Sequence, residues 1–292
     1  MSCFFKALKT LFSIAKIVPR SPKLDQLFEE VRTMLHQEVD YEGELMHMQE
    51  FRKALLEDSR FIIAKPVPEF CTKRVLTMML EEGHKVDSAE VRALSQDRRN
   101  SIASAALELY FRELFKLKMM QTDPHFGNYR IRTGDRSDQL ILFDFGAVRK
   151  FNDQFLGPYS DLIRGALYRD KALLIRAAGK LGFILPEDPV TLHDHFFDLC
   201  SLIMEPFSRP DTPGVSHECF DSDGNYIWAK GDLPKRVAKK AGDIVFSYKP
   251  HSPPPECVFL DRKMGGMFVF MSVLDARIKA RSILEKYLDL TH

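Results

Sequence analysis

The sequence predicts an α+β fold of two lobes, a small N-terminal one with short strands and a larger, mostly helical C-terminal one. Three observations point there. Residues 67–80 hold Pro-bounded, β-branched stretches such as Arg74-Val75-Leu76-Thr77, and Glu81-Glu82-Gly83 breaks the chain after them. Residues 129–132 and 139–143 are strand-like and flank the turn-rich segment 133–138, which makes a β-hairpin the simplest local structure. Nearly everything after residue 153 steps at helical period. The small lobe is expected over residues 1–80 and the large one over residues 81–292.

The elements follow in order. Phe4, Phe5, Leu8, Leu11, Phe12, Ala15 and Val18 share one helical face, opposite Lys6, Lys9, Thr10, Ser13, Lys16 and Arg20. This amphipathic helix, ending before Pro19, fits packing on its own protein, a membrane surface, or the cut end of a longer protein. Its lysines and the lack of a small-residue cleavage site argue against a signal peptide. Ser21-Pro22 starts a second helix. Its stripe Leu24, Leu27, Phe28, Val31, Leu35 continues onto Glu38, a carboxylate where an apolar residue is expected. Either Glu38 has a cation or donors beside it, since burying it unpaired is costly, or the helix has reached solvent there. Ile102, Ala105, Ala106, Leu109, Leu114 and Leu117 predict a long helix over 97–120. Further helices are expected at 153–168, 170–181, 191–205, 233–247 and 261–288, with 206–232 as the longest loop and Pro253-Pro254-Pro255 as a rigid stop.

Composition narrows the function. Lys+Arg at 42 against Asp+Glu at 41 leaves a formal charge of +1, so no basic field marks a nucleic-acid partner. The 5 cysteines are scattered without a CxxC pair, which suits free thiols rather than a disulfide framework or zinc site. No apolar run approaches the roughly 20 residues that span a bilayer.

The chemistry concentrates in residues 119–150, MMQTDPHFGNYRIRTGDRSDQLILFDFGAVRK. A hairpin symmetric about residue 136 sets Tyr129 opposite Phe143, Ile131 opposite Ile141 and Asn128 opposite Asp144. Two oxygen-bearing side chains would then leave one hairpin with Cα atoms about 5 Å apart, within reach of a shared hard cation. Magnesium favours one or two carboxylates plus substrate phosphates. Asp123 lies five residues before Asn128, in the D-x-x-x-x-N spacing of a kinase catalytic loop, and Asp144-Phe145-Gly146 follows in the D-F-G position. In a kinase-like site Asp123 would orient or deprotonate the attacking hydroxyl or water, while Asn128 and Asp144 hold magnesium on the ATP phosphates. Thr122 stands where such loops carry arginine and no A-P-E follows, which argues against a conventional protein kinase. A two-metal hydrolase built on Asp123, His125 and Asp144, with His193 or His195 as further ligands, is a rival reading. Lys263-Met264-Gly265-Gly266 fits a phosphate loop poorly and a helix-packing feature better.

These motifs, with QEVDYEGE (37–44), RVLTMMLEEG (74–83), QTDPHFGN (121–128), LFDFGAVRKF (142–151) and DRKMGG (261–266), resemble the UbiB or AarF-type atypical kinases, which include the mitochondrial coenzyme Q kinase-like proteins. The resemblance runs from about Leu24 to the end. It implies a protein-kinase-like fold using ATP and Mg2+. It further implies that Glu38 pairs with a nucleotide-binding lysine, that Glu44 is a second acidic position, and that Met79 and Leu80 form the hinge against adenine. Family members carry an upstream K-x-G-Q helix, an Ala- or Gly-rich loop and a phosphate-binding lysine that this sequence lacks. The N-terminal lobe is therefore expected to be incomplete, with a separate chain or an upstream segment supplying the remainder. The implied process is ubiquinone (coenzyme Q) biosynthesis, with a quinone lipid or membrane surface as partner, on the cytoplasmic side and peripheral to the inner membrane. The alternative is a pseudokinase remnant or scaffold.

Overall fold

The computed structural model describes residues 40–123, 125–135, 137–248, 251 and 254–288. The amphipathic N-terminal helix, the helix starting at Ser21-Pro22 and Glu38 lie outside the described residues.

The first described helix, α1 (Tyr41–Leu55), was not expected from periodicity. Asp40 caps it, accepting from Gly43 N at 3.1 Å, while Glu42 and Glu44 in its first turn and Arg52 and Lys53 in its last suit the helix dipole. Its face of Met48, Phe51 and Leu55 is buried. Strands β1 (Phe61–Ile63) and β2 (His84–Lys85) follow, with residues 67–80 between them. That stretch does not form the expected short strands. It holds a short 3-10 turn at Pro68–Phe70 and the isolated bridges Pro66 to Met78 and Thr72 to Val75. Its prolines remove ladder donors, so pairing stays local.

A short helix α2 (Ala89–Arg92) leads to α3 (Gln96–Phe111), which runs on as a π-helical turn at Arg112–Leu117. Lys118, at φ 51°, ends it in the left-handed region. Strand β3 (Met119–Gln121) pairs antiparallel with β6 (Val148–Lys150), and the hairpin β4 (Tyr129–Arg132) and β5 (Gln139–Leu142) lies between them in sequence. The main sheet has the order β1-β5-β4-β2, with β1 parallel to β5.

The hairpin exists, but its register differs by one from the symmetric expectation. Tyr129 faces Leu142 and Ile131 faces Leu140, so Asn128 stands beside Phe143 rather than Asp144. A one-residue slip turns every side chain of a strand to the other face. The periodicity of β5 could not decide the slip, because Leu140, Ile141 and Leu142 are all buried. The loop decides it. Asp138 accepts from Gly134 N at 3.4 Å and pairs with Arg98 of α3, which also donates to Gly134 O at 3.0 Å.

The rest is helical: α4 (Asp153–Leu167), α5 (Lys171–Lys180), α6 (Val190–Ile203), α7 (Leu233–Tyr248), α8 (Pro255–Val273) and α9 (Ala280–Leu288). The single helix expected over 261–288 is two. The first begins at Pro255, so the proline run starts a helix as well as ending what precedes it. Asp275 at φ 48° stops it, and β8 (Arg277–Ile278) then pairs with β7 (Tyr226–Ile227). The supposed loop 206–232 contributes β7 and the buried rings of Tyr226 and Trp228. Buried Glu205 there accepts from Tyr226 OH (3.0 Å) and from Arg236 Nη1 (2.8 Å) and Nη2 (2.5 Å). One connected core runs from Met48 to Leu288.

Candidate active site

The chain from Gln121 to Gly146 leaves β3, makes the catalytic-type loop, passes through the hairpin and ends in the D-F-G turn. Thr122, in the place of the usual arginine, ties the two ends together: its N and its Oγ1 both donate to Ala147 O at 2.8 Å. A threonine here braces the loop against the segment after D-F-G.

Asp123 and Asn128 are brought into direct contact, with Asn128 Nδ2 donating to Asp123 Oδ2 at 2.5 Å. That bond uses the amide nitrogen and leaves Asn128 Oδ1 as the oxygen available to a cation. Asp123 Oδ1 accepts from His125 N at 3.3 Å. Gly127 N donates to His125 Nδ1 at 3.0 Å, so His125 shapes the loop. A Cβ on Gly127 would stand 2.4 Å from the imidazole, which explains a glycine at this point.

Asp144 Oδ1 accepts from Gly146 N at 2.9 Å, so its other carboxylate oxygen carries no hydrogen bond within the turn. Phe145 is wholly buried, 5.0 Å from the Phe51 ring of α1. The same helix grips the backbone of the turn. Glu44 Oε1 accepts from Phe145 N at 3.3 Å, and His47 Nδ1 donates to Phe145 O at 3.3 Å. Glu44 Oε2 and Asp144 Oδ1 both lie within 4 Å of the point a Gly146 Cβ would occupy. Burial raises the Glu44 carboxyl above its ordinary range; the Phe145 hydrogen bond opposes this, and the neighbouring charge of Asp144 adds to it. A carboxyl pushed up by a second carboxylate is a group that a cation would pull back down. The oxygens of Asn128 and Asp144 are ligands of the kind that a hard cation such as magnesium takes, one or two carboxylates with the rest from substrate phosphates.

Met79 and Leu80 are exposed. Met79 N donates to Lys65 O at 2.8 Å, just beyond β1, and β1 runs parallel to β5, whose own end leads to Asp144. The topology thus carries the expected hinge to the same end of the sheet as the D-F-G turn.

The fixed point under this loop was missed by motif reasoning. Lys263, 3% exposed within α8, donates from Nζ to Gln121 Oε1 (2.6 Å) and to Tyr129 OH (2.7 Å). Gln121 precedes the Asp123 loop and Tyr129 follows it, so one ammonium holds both ends. Gln121 N donates to Glu113 Oε2 at 3.3 Å, on the π-turn of α3. Burial drives the Glu113 carboxyl up to about 7, against the attraction of Lys263. For Lys263, burial acts to lower the value, but Tyr129 and Glu113 outweigh it and the net shift is upward. The K-M-G-G run is therefore part of a helix with its lysine turned inward, not a phosphate loop. The one available signal was that lysine at a core position of a helical stripe.

The rival metal-hydrolase reading finds no ligand set. Among the described residues no three His, Cys, Asp or Glu side chains converge to hold a metal. His193 and His195 lie on α6, where Asp194 pairs with Lys171 and the His195 ring packs 5.6 Å from Tyr248.

The ABC1 atypical kinase-like domain profile matches residues 3–178, more than half of the chain. The chain belongs to the ABC1 atypical kinase-like family. It is 28% identical over 278 residues to the rat mitochondrial atypical kinase COQ8B, covering 95% of this chain and 49% of that protein. To the mitochondrial atypical kinase COQ8 of Saccharomyces cerevisiae it is 25% identical over 280 residues, covering 96% of this chain and 53% of the relative. The chain thus spans about half the length of these relatives. The Rv3197–erythromycin complex from Mycobacterium tuberculosis superposes with a TM-score of 0.70 at 19% identity, over 97% of this chain and 66% of that one, a likeness of fold. An ABC1 kinase-like α+β fold is what the sequence predicted. No described helix is long and apolar enough to cross a membrane.

Proposed function

We propose that this ABC1-family chain binds ATP with magnesium and carries out ATP hydrolysis or phosphoryl transfer. The observation that carries the reading is the bonded pair Asp123 and Asn128, with the Asn128 Oδ1 oxygen left available, in one loop with the D-F-G turn that Glu44 and Phe51 hold in place. Asn128 and Asp144 would hold the metal, which when bound offsets phosphate charge as it is transferred. Asp123 orients the attacking hydroxyl or water and takes up its proton, since a carboxylate anchored on both oxygens keeps a fixed direction. Met79 and Leu80 offer the apolar edge for adenine, and Glu38 is assigned to the lysine partner. The process is ubiquinone biosynthesis at a quinone-bearing membrane surface, supported by the resemblance of the Q-T-D-P and K-M-G-G runs to the coenzyme Q branch.

Binding of a fluorescent ATP analogue, with and without magnesium, tests the site alongside phosphate release. Asp144→Asn is expected to weaken magnesium-dependent binding at least about tenfold, the loss of a charge-assisted contact. Asp123→Asn keeps binding and loses turnover. Binding that ignores magnesium and Asp144 alike overturns the proposal; magnesium-dependent binding without turnover leaves the scaffold reading. Restoration of ubiquinone in cells lacking the endogenous relative tests the process separately.

A further inference from the structure

A second chemical environment lies away from the catalytic loop. Helices α3, α4, α6 and α8, with Leu284 of α9, line a half-open cavity of about 190 Å³ with a mainly apolar wall. An apolar cavity of about 150 Å³ accepts a benzene ring, so this one has room for a ring with a short substituent. Its few polar groups come from all four helices: Tyr110, Tyr159, Cys200, Cys257 and Asp261. Asp261 is the unusual member. It is exposed on α8 at the edge of the cavity that it helps to line, and no hydrogen bond or ion pair reaches it among the described residues. Burial alone acts on its carboxyl and pushes it up to about 6. The Tyr110 and Tyr159 hydroxyls also have no hydrogen-bond partner among the described residues. Its charge at the edge of a mainly apolar cavity has no cation of the described residues to offset it, and aromatic rings, Phe196 included, line the same cavity. Carboxylate and aromatic faces together recognise an organic ammonium, through charge and through the ring quadrupoles.

We propose that this cavity is a binding site for a small organic cation, an amine on an apolar body about the size of one ring, with Asp261 as counter-charge and the rings of Tyr110, Tyr159 and Phe196 as its walls. Position 261 is two residues from Lys263 on α8, about 200° around the helix, so the two side chains serve opposite faces.

The test compares benzylamine with its neutral counterpart benzyl alcohol on the full chain, by calorimetry or ligand-observed NMR. Benzylamine is expected to bind at least about tenfold more tightly, an ammonium–carboxylate preference, and Asp261→Asn to erase the difference. The unsubstituted chain provides a second measurement. The other titratable groups facing Asp261 are the Tyr110 and Tyr159 phenols and the Cys200 and Cys257 thiols, all held neutral by upward shifts. Of the groups that line the cavity, only Asp261 therefore changes charge between pH 7 and pH 5; Glu113, behind Tyr110, also titrates there, so the comparison is repeated in Glu113→Gln, where the benzylamine fall should persist. Benzylamine affinity should fall about tenfold across that interval, following a carboxyl near 6, while benzyl alcohol binding stays flat. Equal affinity for the two probes, a pH-independent preference, or no binding of either at millimolar concentration overturns the proposal.

Discussion

Replacing Lys263 with methionine removes an ammonium while keeping most of its volume and all of its helix propensity. Its hydrogen bonds to Gln121 Oε1 at 2.6 Å and Tyr129 OH at 2.7 Å disappear, and both acceptors are buried. Glu113, 1% exposed, loses the only cation acting on it among the described residues. Each stranded neutral group costs about 1–3 kcal/mol, and breaking a buried charge pair about 3–5 kcal/mol. The terms overlap, because Glu113 can take up a proton instead of staying charged. A net loss of about 3–5 kcal/mol is therefore expected, a large part of the roughly 5–15 kcal/mol that holds a domain folded. Urea denaturation of Lys263→Met, Glu113→Gln and the double variant measures it. The double variant should be more stable than Lys263→Met alone by about 1 kcal/mol or more, since no buried carboxylate is left without a cation. A Lys263→Met midpoint matching the parent's, or a double variant whose loss equals the sum of the single losses, would falsify the idea that one lysine carries the base of this loop.

Other consequences follow from the same geometry. Phe51→Ala opens a cavity against Phe145 and should cost about 3–5 kcal/mol in chemical denaturation, with weaker magnesium-dependent nucleotide binding because the D-F-G turn loses its support. Gly165→Ala on α4 would set a Cβ 2.6 Å from Leu174 N and 2.8 Å from Leu174 Cα. Backbone cannot yield as a side chain does, so about 1–3 kcal/mol of overpacking should outweigh the helix-propensity gain and lower the melting temperature. Glu113 gives a pH signature. Its folded-state value of about 7 lies above the ordinary 4.5, so the native state holds the extra proton between these values. Its contribution to stability is full below about pH 4.5 and is lost as pH rises through about 7. Denaturation midpoints measured from pH 5 to 8 should fall less steeply in Glu113→Gln than in the parent.

The elements legible in the sequence are those whose burial is one-sided. Helices α4 to α7 fall within two residues of their expected bounds, because each carries an apolar stripe against a polar face. The motif around Asp123, Asn128 and Asp144 was legible for another reason: spacing along the chain limits which groups a loop and hairpin can bring together. Residues 206–232 were misread because Pro, Gly and Asp mark turns but do not show that Tyr226 and Trp228 between them are buried by a distant strand at Arg277–Ile278. The hairpin register was misread because a central strand buried on both faces carries no alternation.

The sequence by itself determined the kinase-like α+β class, the separation of Asp123 from Asn128 and the presence of a D-F-G turn. Tertiary structure alone decided which groups meet across the chain. Asn128 donates its amide to Asp123, Glu44 joins the turn at Phe145 from 101 positions away, and Lys263 reaches Gln121 across 142. Contacts at such separations leave no local period or spacing in the sequence. They arise where the burial of apolar faces brings helices together, and a charged residue enclosed there must find its partners or change its charge.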